Sequence, residues 1–137
     1  MKNFKDPQIL PFPKINDSRG NLTFIESQEH IPFEIKRAYW IYDVPGGGVR
    51  GGHAFKETQE VIVALSGGFD VLFDFGDWTQ IFTLNRSYFG LYIPNMIWRQ
   101  MIHFSTNSVA LVLASSPYSE ADYIHRYEEY LDCKKNG

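Results

Sequence analysis

The chain has 137 residues, of which 44% are hydrophobic, 16% aromatic and 21% charged. That is enough apolar material for one packed domain over residues 1–137 and too much for a disordered chain. A formal net charge of -3 offers no basic face of the kind general nucleic-acid binding needs. Cys133 is the sole cysteine, which excludes an intrachain disulfide and a cysteine zinc site and fits a reducing compartment. The opening stretch Met1–Asp17 has no long apolar run, and no later segment has the roughly 18 apolar residues of a spanning helix, so a soluble, cytoplasmic protein without a membrane partner is expected.

In chain order, NLTFIES (21–27) alternates apolar with polar residues, and IKRAYWIYDV (35–44) is rich in β-branched and aromatic residues before a glycine turn; both read as strands. VIVAL (61–65) and FDVLFDF (69–75) flank Ser66-Gly67-Gly68, which predicts a hairpin because glycine supplies the positive φ of a tight turn. Asp74 to Asp77 marks the next turn, and WTQIFTL, SYFGLYIP, MIWRQMIHF and SVALVLAS follow. Eight or more short strands at this spacing predict an all-β sandwich or barrel. The period then changes: Ser119 with Asp122 resembles a capping box, and Tyr123, Tyr127 and Tyr130 recur at helical spacing, predicting a helix over 119–135 with His125 on it.

The stretch RGGHAFKETQE (50–60) leads from a glycine loop into the strand at Val61. His53, Glu60 and Gly67 fall at the intervals of the first cupin metal motif, but Phe55 stands at the second histidine position and has no lone pair to give. Near GLYIPNMIWRQM no histidine falls where the second cupin motif needs one. A catalytic metal requires about three protein ligands, and this ligand count predicts no metal site. Glu60 then reads as a charged residue at a strand start, and His30 and His103 carry no assigned chemistry.

DSRGNL, IKRAYWIYDV, RGGHAFK, QEVIVALSG, NRSYFGLYIPNMIWRQM and FSTNSVALVLASSPYSEADYIHRYEEY, in this order from Asp17 to Tyr130, resemble the nucleotide-sugar 3,4-ketoisomerases, which act on dTDP-4-keto-6-deoxyglucose. The resemblance implies a cupin-type jelly roll of two packed antiparallel sheets with a short C-terminal helix, no metal or other cofactor, and homodimers that exchange N-terminal strands. It also implies a His-Ala-His site in which both histidines face the hexose. This chain keeps His53 and carries Phe55, and after Trp98, where members carry histidine or arginine, it has Arg99.

A 3,4-ketoisomerase moves a carbonyl from C4 to C3 through an enediol or enediolate. The C3 hydrogen is α to the carbonyl, so a base of near-neutral pKa such as His53 suits its removal. Phe55 cannot serve as the second proton-transfer group, so Tyr39, a water molecule or a loop residue is the candidate, with core packing as the alternative role of Tyr39. Arg99 is placed to stabilise charge on the enediolate oxygen. The diphosphate needs guanidinium groups, with Arg19, Arg37, Arg50 and Arg99 as candidates and Arg19, Arg50 and Arg99 favoured by the matching segments. Trp98 is a candidate for stacking on a sugar or base and Asn95 for a hydrogen bond to substrate, each with a packing or turn role as its alternative. Two other functions remain open on the sequence: a catalytically silent sugar-nucleotide-binding protein, since Phe55 removes part of the relay, and a related 4-keto-sugar epimerase.

Overall fold

A computed structural model describes residues 5–136, so the two ends of the expected domain and the first four residues of Met1–Asp17 lie outside the described residues. The short β-type runs become strands β1 (Gln8–Pro11), β2 (Lys14–Ile15), β3 (Leu22–Thr23), β4 (Arg37–Ile41), β5 (Arg50–Phe55), β6 (Glu60–Ser66), β7 (Phe69–Asp74), β8 (Thr79–Leu84), β9 (Phe89–Ile93), β10 (Trp98–Ile102), β11 (Val109–Ala114) and β12 (Tyr123–Ile124). Helix α1 (Tyr127–Asn136) ends the described chain.

One sheet has the order β1-β9-β6-β11-β4 and the other β12-β5-β10-β7-β8, while β2 and β3 form a small separate ribbon. All the pairings are antiparallel. The two large sheets pack into the expected jelly roll, with Ile62, Ala64, Leu91, Ile93 and Val112 of the first meeting Val71, Phe73 and Met101 of the second. Full burial of each large apolar side chain contributes about 1.5–3 kcal/mol.

Strand β6 is buried at five consecutive positions, Glu60–Ala64, instead of alternating. It is covered on both faces: the outward side chains Val61 and Val63 pack under Leu10, Phe12, Ile31 and Phe33 from the N-terminal third. A third apolar cluster, Ala54, Trp98, Ile124 and Tyr130, fastens α1 to the outer side of the second sheet.

Two local expectations change. Ser66-Gly67-Gly68 does not close a hairpin, because β6 and β7 belong to different sheets; the turn carries the chain across the sandwich. Its positive φ is real, at +64 for Gly67, but its hydrogen bonds go to the β10–β11 loop: Gly68 donates to Ser105 Oγ, and Gly68 O accepts from Ser105 N. Turn chemistry is the same in either case, and the partner strand decides the topology.

The second change is at the C-terminus, where the helix begins only at Tyr127. Ser119 makes no capping hydrogen bond, and Glu120–Asp122 forms one 3-10 turn before β12. The reason is long-range: the Asp122 carboxylate accepts from the Glu57 and Thr58 backbone amides and from the Thr58 hydroxyl. This anchors β12 beside β5, with Tyr123 opposite Phe55. His125 consequently lies between β12 and α1, not on the helix.

Candidate active site

Strands β5 and β10 bring the first two functional groups together. His53 and Arg99 are directly opposed across this pair, and the register shifts immediately afterward, so that Gln100 faces Gly51. The extra residue, Gly52, forms a bulge. Gly51 and Gly52 have φ of +98 and +88, and a Cβ on Gly51 would lie 3.3 Å from the Arg99 carbonyl oxygen and from Gln100 Cα. Only glycine takes this path without strain, which is the local reason for the pair before His53.

Strand β10 alternates across the sheet, so Arg99 points between the sheets while Trp98 points outward. Arg99 is only 2% exposed and Glu60 only 1%. Arg99 Nη1 donates to Glu60 Oε1 at 2.7 Å and Arg99 Nε to the Ile97 carbonyl at 3.0 Å. The Tyr39 hydroxyl donates to the other carboxylate oxygen of Glu60 at 2.5 Å. Both oxygens of the carboxylate are thereby occupied, as a buried charge requires. Glu60, expected as an ordinary charge at a strand start, is the centre of this network.

Among the described residues three buried side-chain polar atoms have no hydrogen-bond partner, Arg37 Nε, His53 Nε2 and Arg99 Nη2, and the last two belong to residues of this site. Buried groups of this kind are uncommon and costly, and these two are found at one cavity. That cavity, of about 560 Å³, is walled by Tyr39 and Trp40 of β4, Glu60 and Ile62 of β6, Val112 of β11, Arg50 to His53 of β5, Arg99 and Met101 of β10, and also by Tyr123 and His125. Its size suits a small ligand.

Burial, then the nearby Arg99 charge, and then His125 push the His53 imidazole down to about 3. It is neutral at physiological pH, with a lone pair available. Burial and the Glu60 carboxylate push the Tyr39 phenol far up, so its proton stays on oxygen. Phe55 is fully buried and lies beneath His53, edge-on at 4.9 Å, with the Arg99 guanidinium 5.1 Å from its ring centre. It supports the cavity without lining it.

The other nominated residues divide by position. Arg50 is exposed and stands on the cavity wall. Arg19 is away from the cavity, in the β2–β3 turn, where it is strongly exposed and bonded to Asp17. Trp98 packs on Tyr127 at 5.4 Å and Tyr130 at 5.9 Å, fastening α1. Asn95 donates to the Lys56 carbonyl at 2.7 Å and ties the β9–β10 turn to the chain just after β5. Arg37 opens β4, with its guanidinium 5.4 Å from the Tyr39 ring and 5.7 Å from that of Tyr118.

The ionisable wall residues missed by sequence reasoning are Glu60, Tyr123 and His125. A glutamate entering a strand of five buried positions was the readable signal for Glu60. Tyr123 and His125 were obscured by the apparent helical period. Among the described residues, no group of three His, Cys, Asp or Glu side chains is arranged to hold a metal ion.

Comparison with known proteins gives this site a context. The family described as FdtA: WxcM-like, C-terminal, matches residues 5–135. A TDP-4-oxo-6-deoxy-alpha-D-glucose-3,4-oxoisomerase of Aneurinibacillus thermoaerophilus is 43% identical over 123 residues, covering 90% of this chain and 88% of that protein. The crystal structure of the sugar 3,4-ketoisomerase QdtA from Thermoanaerobacterium thermosaccharolyticum, in complex with TDP, superposes with a TM-score of 0.93 at 38% identity, covering 98% of both chains. The TDP-quinovose 3,4-ketoisomerase WlaRB from Campylobacter jejuni gives 0.88 at 41% identity, covering 93% of this chain and 98% of that one. The pairing of a histidine with a buried arginine at one cavity, the family match over residues 5–135 and these relatives together mean that the chain belongs to the FdtA-like family of sugar-nucleotide 3,4-ketoisomerases.

Proposed function

We propose that the protein is a sugar-nucleotide 3,4-ketoisomerase acting on a dTDP-linked 4-keto-6-deoxyhexose in deoxy-amino-sugar biosynthesis, in the cytoplasm. The observation that carries the reading is the pair of unpartnered buried atoms, His53 Nε2 and Arg99 Nη2, at one cavity. One is a neutral base and the other a fixed cation, and α-proton abstraction from a ketone needs both. The relatives include a TDP-4-oxo-6-deoxy-alpha-D-glucose-3,4-oxoisomerase and a 3,4-ketoisomerase seen in complex with TDP-4-keto-6-deoxyglucose.

In the proposed reaction His53 takes the C3 hydrogen while the C4 carbonyl electrons move to O4. The developing oxyanion meets Arg99, whose free Nη2 needs no reorganisation to receive it. Burial and the Arg99 charge make His53 a weak base, and an anionic intermediate beside it favours the protonated imidazole. The resulting imidazolium returns the proton to C4. Tyr39 keeps its proton, which it donates to Glu60, and its phenol oxygen is left to accept a hydrogen bond from a sugar hydroxyl. Arg50, on the cavity wall, is assigned to the diphosphate, which brings about two negative charges into a protein of net negative charge.

The whole chain acts as one domain, and two chains form a homodimer by exchange of N-terminal strands. Among the described residues strand β1 is an edge strand, pairing with β9 on one side, and edge strands are well suited to exchange. The dimer also gives Arg19 a route to a partner's cavity, which it does not reach in its own chain. Light scattering tests this, with twice the chain mass expected; a monomer at all concentrations would contradict it. Trp98 and Asn95 are assigned to support of the site, consistent with their packing and turn contacts.

Activity is tested by incubating the protein with dTDP-4-keto-6-deoxyglucose and following the sugar by NMR. The expected product is the 3-keto sugar. Absence of any 3-keto product across dTDP-linked 4-keto-6-deoxyhexoses would overturn the reading, and solvent deuterium at C5 in place of C3 would assign an epimerase.

A further inference from the structure

The ketoisomerase reaction requires two proton movements: one hydrogen passes from C3 to C4, and one proton from O3 to O4. His53 accounts for the first. The second needs a group with a free lone pair that can take a proton and give it back. On the cavity wall, Arg50 and Arg99 have no acceptor, Tyr39 retains its proton, and both oxygens of Glu60 are engaged by Tyr39 and Arg99. Phe55 has neither donor nor acceptor. Tyr123 also lines the wall, but burial pushes its phenol up so that it too keeps its proton, and the wall residue that remains is His125.

We propose, on the basis of the ketoisomerase reading, that His125, held by Glu120, is the catalytic group that carries the proton between the two sugar oxygens in this chain. Its Nε2 bonds to Glu120 Oε1, and the other oxygen of Glu120 accepts from the Tyr118 hydroxyl at 2.7 Å. A carboxylate on Nε2 fixes the proton there and leaves Nδ1 as an acceptor, the orientation principle of a histidine backed by an acid. His125 also stacks on Tyr123, with ring centres 5.2 Å apart and planes within 5°. Tyr123 is also in contact with the catalytic imidazole, the ring centres 5.3 Å apart. One phenol ring thus spaces two histidines along one cavity, and a hexose lying against it can meet both.

The atoms balance without an added reagent. His53 takes the C3 hydrogen, forming the C3–C4 double bond and an oxyanion at O4. His125 Nδ1 accepts the O3 proton and passes it to O4, leaving the charge on O3. The O3 electrons then form the new carbonyl, and C4 takes its hydrogen from the His53 imidazolium. Both histidines end as they began. In effect, the missing function of residue 55 is supplied from the segment between β12 and α1.

The readout is a ratio. Return of the enediolate to substrate needs only His53, whereas progress to product also needs the oxygen-to-oxygen transfer. In deuterated water, His125→Gln should therefore form 3-keto product about 10²-fold more slowly, while deuterium still enters C3 of the recovered 4-keto substrate. Glu120→Gln, at an exposed site, should shift the ratio in the same direction by a smaller factor. Equal loss of exchange and product in both variants, or product formation within about twofold of the parent, would overturn the role of His125. Failure of the parent protein to give either exchange or product would instead overturn the ketoisomerase reading, and this role with it.

Discussion

His53 is neutral because the folded chain refuses it a proton. Burial and Arg99 lower it from 6.5 to about 3. Between those values the unfolded chain binds a proton that the folded chain does not, so its contribution to stability is intact above the unfolded value and is lost as pH falls toward the folded one. Urea denaturation should show stability falling with acid through this window, and the fall should be shallower in His53→Asn. The same shift places the acid limb of kcat/KM below the ordinary histidine range, since that profile reports the free enzyme; a limb centred near the unperturbed value of about 6.5 would contradict the burial argument. Glu60 makes a second prediction at this scale. Glu60→Ala strands the Arg99 charge in the interior and should cost about 3–5 kcal/mol in urea denaturation. A loss under about 1 kcal/mol, as for a surface pair, would mean that the network does not hold the site.

Among the elements, β5 positions the site through a bulge that only its two glycines permit. Gly51→Ala places a Cβ against the backbone of β10 at positive φ, which should cost about 1–2 kcal/mol and should lower kcat beyond that, since His53 loses its place opposite Arg99. Thermal unfolding and kinetics on the same preparation check it; unchanged kcat would mean that the register of β5 is immaterial. Strands of this kind were legible in the sequence because alternation and β-branched residues reflect a half-buried face. Even Trp98 and Arg99 were separable in principle, since neighbours on a strand face opposite ways. The crossing at Ser66–Gly68 was not legible, because a hairpin and a sheet-to-sheet turn demand the same glycine. The segment 119–126 was misread for a related reason: Asp122 is claimed by Glu57 and Thr58, more than sixty positions earlier, and no local pattern reports a contact at that distance.

Across the whole molecule, both sheets contribute to one cavity, with Tyr39 and Glu60 from the first and His53 and Arg99 from the second. The candidate site was partly legible: His53, Arg50, Arg99 and Tyr39 were singled out from the sequence and share this wall. Glu60 and His125 acquired roles only through the packing of the sheets, which brings residues 39, 60, 99 and 125 together. Hydrogen movement at C3 by His53 is measured in deuterated water with dTDP-4-keto-6-deoxyglucose, by NMR, comparing the parent chain with His53→Asn. The C3 proton signal should be lost and 3-keto product should appear with the parent, and neither should occur with the variant. A variant that exchanges C3 as fast as the parent would contradict this role of His53.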